Sequence, residues 1–206
     1  MISRPIRGFI TVALSCAALA QVGAQDPRIG NKLDAPSRAA LRALVDSARA
    51  QGLPTEPLYE KMDEGQAKGA DGPRIVAAVR SLTLEMASAH RALGTVATVD
   101  EIKAAASAMH AGVPAVELGK IKKQSGLRRS LTLPFTVLAD IVSRGVPVEA
   151  GVNAIRSLVG AGAKDADLSK FQRNVSVDIE QGAPPAAAAE TRAKGATPAA
   201  KPEEQY

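Results

Sequence analysis

The sequence predicts an all-α protein, an irregular bundle or array of seven to eight short helices, and three observations predict it. Apolar residues recur at steps of three and four along most of the chain. Aromatic residues make up only 2% of the composition, Trp is absent, and alanine carries much of the apolar content. Alanine is the best helix former and is depleted in strands. Finally, glycine, a branched apolar residue and proline occur in that order at Gly52-Leu53-Pro54, Gly112-Val113-Pro114 and Gly145-Val146-Pro147. Glycine tolerates the left-handed conformation that closes a helix, the next residue folds back onto that helix, and proline opens the following one, where its missing N–H costs little. These tripeptides therefore read as Gly-[Leu/Val]-Pro hinges between helices rather than as binding loops.

The elements follow in order. The first helix starts near Asp34 or Ser37, with Pro36 in its first turn, runs through Leu41, Leu44, Val45 and Ala48, and stops at Gly52. A second spans about Thr55 to Lys68 around Leu58 and Met62, with Gly65 as an interior weakness of about 1 kcal/mol relative to alanine. The third, Pro73 to Leu93, carries the most regular seam: Ile75, Val79, Leu82, Met86, Ala89 and Leu93. Thr98 and Glu101 form a capping box that opens the fourth helix, striped by Ile102, Ala105 and Met109. A short fifth helix follows Pro114, with Leu118 and Ile121 inward. The sixth, about Leu133 to Arg144, is the most apolar and contains Phe135, Leu138, Ile141 and Val142. The seventh runs from Pro147 to Val159, and the eighth from about Asp165 to Gln181 through Leu168, Phe171 and Val175. The strings "RSLTL" at 80–84 and 129–133 and "RSL" at 156–158 keep no constant offset from the hinges. Solenoids need a fixed period, so the expectation is reused helical hairpins without a regular array.

Four segments result. Residues 1–24 read as a signal peptide: Arg4 and Arg7 without an acid, an apolar run from Phe9 to Ala20, and small residues at Val22-Gly23-Ala24, with cleavage after Ala24 favoured over Ala20. The apolar run is shorter than the roughly 20 residues that span a bilayer, so no membrane span is expected once the signal is removed. Cys16 sits within that run, and Ala13-Leu14-Ser15 before it places the leucine wrongly for lipid attachment. Residues 25–33 read as a polar leader, 34–181 as the helical domain, and 182–206 as a disordered Ala/Pro-rich tail with almost nothing to bury. The expected location is periplasmic or secreted, in a bacterium.

The chemistry visible in the sequence is sparse. The only cysteine is Cys16, and His90 and His110 are the only histidines, without partners at metal-ligand spacing. There is no Gly-x-Ser-x-Gly elbow, Walker loop or dinucleotide fingerprint. No cofactor, no metal and no catalysis are expected. Glu56, Glu60, Asp63 and Glu64 are interleaved with Lys61 and Lys68 and read as a solvated helix face. The formal charge of +5 falls to +3 without Arg4 and Arg7, and with no base-stacking aromatics near the basic residues the sequence argues against nucleic acid.

Two surfaces remain. Lys120, Lys122, Lys123, Arg128 and Arg129 form a basic segment without an acid, a candidate for anionic polymer or lipid head groups. Ile75, Val79, Leu82, Met86 and Leu93 form a candidate interaction seam that closes either within the chain or against another copy. The leading expectation is an exported, non-catalytic protein with an interaction or structural role in the cell envelope, its partner a protein or envelope component and a homo-oligomer possible. One alternative is a carrier of an apolar ligand, which needs a cavity among Leu82, Met86, Phe135, Leu138 and Ile155. Another is anion binding through residues 120–129.

Overall fold

Side-chain capping opens three of the helices. In the computed structural model, which describes residues 26–30, 32–126 and 129–196, Asp34 accepts the Ser37 N–H at 2.8 Å and Asp71 accepts the Arg74 N–H at 3.0 Å, opening α1 (Ala35–Ala50) and α3 (Gly72–Leu93). Thr98 and Glu101 make the expected capping box at α4 (Val99–His110). The remaining helices are α2 (Glu56–Ala67), α5 (Ala115–Ser125), α6 (Thr132–Ser143), α7 (Val148–Gly160), α8 (Asp165–Glu180) and α9 (Pro185–Ala196). Among the described residues the fold is all-helical, and no helix is long and apolar enough to cross a membrane. Residues 1–24, read from the sequence as a signal peptide with Cys16 inside it and cleavage after Ala24, lie outside the described residues, as does Gln25.

The hinges close as the sequence requires. Gly52, Gly112 and Gly145 have φ of +69°, +104° and +94°. The residue after each donates its N–H back to a carbonyl in the finished helix: Leu53 to Ala48 at 2.9 Å, Val113 to Ala108 at 3.0 Å and Val146 to Ile141 at 3.1 Å. Each of those three side chains is buried. The same closure occurs at Gly69, Gly162 and Gly182, where Ala70, Ala163 and Ala183 return the bond. Alanine stands in place of Leu or Val at all three, and Asp71 and Lys164 stand in place of the proline at two, so these turns fall outside the tripeptide pattern.

The array is more regular than the sequence reading allowed. α1, α3, α5, α7 and α9 touch in succession and form one row. α4, α6 and α8 form a second row, joined at its start by α2 through an ion pair of Glu60 with Lys103 at 2.8 Å. α4, α6 and α8 begin at residues 99, 132 and 165, a period of 33. Ile102, Phe135 and Leu168 are buried at one phase of that period, and Ala105, Leu138 and Phe171 at another. The expectation of no regular array is thus corrected: helical hairpins stack with a fixed period over the C-terminal half. The period was obscured because α3 has 22 residues where α5 has 11, and α8 has 16 where α4 and α6 have 12. The "RSLTL" strings also misled, since one lies inside α3 and the other enters α6.

Two segment readings are corrected as well. The Ala/Pro-rich tail does not begin at 182, because α9 is a helix whose Ala188, Ala189 and Ala193 are buried. It packs on α7 and α8, and Arg192 donates to both oxygens of Asp178 at 2.6 and 2.7 Å, holding that carboxyl below its usual range. Alanine needs only close helix approach to be buried, so the absence of large side chains did not exclude packing. Residues 197–206 lie outside the described residues. The leader is also part of the body. Ile29 and Leu33 are buried, Tyr59 donates its hydroxyl to Asp26, and Arg28 grips Glu56 at 2.6 and 2.8 Å while stacking 3.9 Å above the Tyr59 ring. Gly65, counted as a weakness, has a packing reason: a Cβ there would lie 2.7 Å from Cγ1 of Ile75 on α3.

One buried carboxylate links two hairpins. Glu101 is 3% exposed. Its Oε2 accepts the N–H of Thr98 at 3.0 Å, and its Oε1 accepts the N–H of Leu131 at 2.9 Å, at the start of α6. Thr98, Leu131 and Lys164 are equivalent positions, 33 residues apart. Lys164 is served by Asp167 of its own helix at 2.8 Å, but the matching residue of α6 is Pro134, which has no acceptor side chain. Glu101 therefore caps its own helix and its neighbour, with Lys122 Nζ at 3.7 Å as countercharge.

Two outcomes follow for stability. Glu101→Ala leaves two N–H groups at the helix starts without acceptors and should cost at least about 2 kcal/mol, read as a lower urea midpoint; an unchanged midpoint would refute the double-capping role. Gly145→Ala meets open space, its nearest neighbour being Pro185 Cγ at 3.9 Å, so any loss comes from the backbone conformation. A destabilisation of about 1 kcal/mol is expected, and a neutral or stabilising result would contradict the hinge assignment.

Candidate functional site

The hairpin stack leaves an open cleft of about 610 Å³ where α2, α3, α4 and α6 meet. That volume falls within the range of small-ligand and side-chain pockets. Its apolar lining comes from Ala78 and Leu82 of α3 and Ala139 of α6; its polar groups are Lys61, Ser81, Glu85, Ser107, His110, Asp140 and Ser143. Each helix delivers its polar groups about one turn apart, because positions three or four apart share a helix face.

Most of the charges in the cleft are held by neighbours. Lys61 Nζ donates to Glu64 at 2.6 Å, and Lys68 donates to the other oxygen of Glu64 at 2.5 Å. The hydrogen bonds from Lys61 and then Lys68 push the Glu64 carboxyl down to about 2. Asp140 accepts from Arg144 Nε at 3.0 and 3.1 Å and from Gln172 Nε2 at 2.9 Å. Glu85, whose side chain is 18% exposed, receives Ser81 Oγ at 3.1 Å and faces His110 Nδ1 at 3.0 Å, both on its Oε1.

This Ser, His and carboxylate grouping does not assemble a nucleophile. Serine activation needs the hydroxyl hydrogen-bonded to the imidazole, which takes its proton. Here Ser81 donates to the carboxylate instead. Among the described residues no group of three or more His, Cys, Asp or Glu side chains is placed to hold a metal ion.

The residues singled out from the sequence are placed as follows. Ile75, Val79, Met86 and Leu93 of the α3 seam are buried in the core of the chain itself; Leu82 is partly buried and lines the cleft. The seam therefore closes within the chain. Met86, Phe135, Leu138 and Ile155, which a carrier cavity would need, are fully buried members of the same continuous core. The basic segment does not form one free face. Lys120 pairs with Glu117 at 2.7 Å, Lys122 is tucked against Glu101, and Arg129 lies 3.9 Å from Asp165. Lys123 is exposed, and Arg128 lies outside the described residues. His90 is partly buried on α3.

The cleft itself escaped the sequence reading. From the sequence His110 is only a histidine without a partner at metal-ligand spacing, and Glu85 does not stand out, because 25 residues and a helix reversal separate them. No local spacing rule reports a pair made by the α3–α4 contact.

Comparison with protein-family models, with curated proteins and with solved structures found no match.

The Lys–Glu64–Lys cluster beside the cleft yields a pH prediction. A carboxyl depressed from 4.5 to about 2 contributes stability that is present above 4.5 and is lost as pH falls through about 2. Carbon-detected NMR titration should place the Glu64 midpoint near 2, and replacing Lys61 and Lys68 by Met should return it toward 4.5. A wild-type midpoint near 4.5 would show that neither lysine engages it.

Proposed function

We propose that this chain is an exported, non-catalytic binding protein of the cell envelope, and that it grips a polypeptide partner in the cleft between α2, α3, α4 and α6. The observation that carries this reading is the cleft: four helices converge on an apolar lining flanked by polar groups that are already oriented by neighbouring side chains. Stacked helical hairpins offer extended surfaces of this kind for recognition. The Ser81–Glu85 bond supports a binding role over acyl transfer, because it directs the hydroxyl away from the imidazole. Export is supported by the charged, apolar and small-residue order of residues 1–24. The partner is a polypeptide of the envelope, and a second copy of the chain is one form it can take.

Site-specific photocrosslinking in the native host tests the reading. A photoreactive residue at Ser143 or Ala139 of the cleft should give one shared adduct. The same residue at exposed Lys170 on α8 or Lys123 on α5 should not give it. An adduct of twice the chain mass would identify a second copy. Adducts from Lys170 and Lys123 with none from the cleft would refute the assignment. N-terminal sequencing of the same material should begin at Gln25 if the chain is exported and processed after Ala24.

A further inference from the structure

We infer that the cleft selects a cationic side chain, a lysine or arginine of the partner polypeptide, with Glu85 as its acceptor and His110 as a built-in competitor for that acceptor. The inference rests on the polypeptide-binding reading above and adds the chemistry of recognition.

Glu85 differs from the other carboxylates at the cleft. Glu64 is held by two lysines, and Asp140 by Arg144 and Gln172. Among the described residues the only ion-pair partner of Glu85 is His110, and its other contact is the neutral Ser81 hydroxyl. Its side chain is only 18% exposed, so its charge is poorly hydrated, and it gains more from a fixed cation than a surface carboxylate does. Its Oε2 has no hydrogen-bond partner among the described residues, which leaves an acceptor for an incoming ammonium or guanidinium group. Leu82, Ala78 and Ala139 supply the apolar surface along which the aliphatic stem of lysine or arginine lies while its charge reaches the polar end.

His110 is the displaceable occupant of the site. Its side chain is 75% exposed, so it is free to leave Glu85 when another cation arrives. The other charged groups lining the cleft are Lys61 on α2, engaged by Glu64, and Asp140 on α6, engaged by Arg144. An incoming cation therefore takes the acceptor by displacing His110.

The test is NMR titration of the protein isolated from its host with the blocked pentapeptide Ala-Leu-Arg-Ala-Leu and with a twin carrying Glu in place of Arg. The arginine peptide should shift the amides of Ser81, Glu85, His110 and Asp140. Glu85→Gln, checked for an unchanged unfolding temperature, should weaken it by about tenfold. His110→Ala should remove the competitor and tighten the binding. Equal binding of the twin at the same amides would overturn the cation preference while leaving the polypeptide-binding reading intact. Silence from both peptides, alongside a cleft adduct at Ser143, would also refute this inference alone. Silence from both peptides with no cleft adduct would remove the two together. Binding of the arginine peptide no tighter in His110→Ala than in wild type would overturn the competitor role.

Discussion

The second row of helices depends on one buried carboxylate. Glu101 is nearly inaccessible and centred between two helix starts. Such a group is costly unless its lone pairs are filled and a countercharge is near. Both oxygens of Glu101 are filled by backbone N–H groups that would otherwise be orphaned at helix starts. Lys122, on α5 of the other row, supplies the charge. A single side chain thus ties α4, α5 and α6 together. It also lets α6 begin with Leu-Thr-Leu-Pro, a sequence with no acid of its own for the cap.

The rest of the architecture follows from small residues and tight turns. With so few aromatic side chains, the core must come from aliphatic residues and alanine at close approach. Ala104, Ala105, Ala106 and Ala108 are all buried on α4, and α9 is held by three buried alanines and the Arg192–Asp178 pair. Eight glycines between the described helices have positive φ, and at six of them the next residue returns its N–H to the finished helix, reversing the chain without long loops. Keeping α4 and α6 at 12 residues preserves the period. The cleft lies against the middle of the longer α3, where α2, α4 and α6 meet it.

Much of this was legible in the sequence, and the failures have physical causes. The eight helices up to residue 180, the capping box at Thr98 and the hinges at Gly52, Gly112 and Gly145 all rest on short-range rules, and all are present. The hinges at Gly162 and Gly182 fall outside the tripeptide pattern because alanine follows the glycine, and at Gly162 no proline follows. The period of 33 is masked because the 22-residue α3 lies between the first two tripeptides, which are farther apart than the second and third. α9 was missed because burial was judged by side-chain size rather than by how near a helix can approach. The leader was misread because Ile29 and Leu33 stand among polar residues whose partners, Glu56 and Tyr59, lie far along the chain. The double role of Glu101 and the pairing of Glu85 with His110 are properties of helix packing, which no spacing rule within one helix contains.

The central claim is that Glu101 reaches across from one hairpin to cap the next. The amide of Leu131 reports on it directly, since that N–H precedes the first turn of α6 and has no acceptor within its own helix. Hydrogen exchange followed by NMR should find the Leu131 amide protected in the wild-type protein. In Glu101→Ala it should exchange as an open loop amide does, while the amides in the middle of α6 stay protected. Rapid exchange of Leu131 in the wild-type protein, or protection that survives the substitution, would contradict the account.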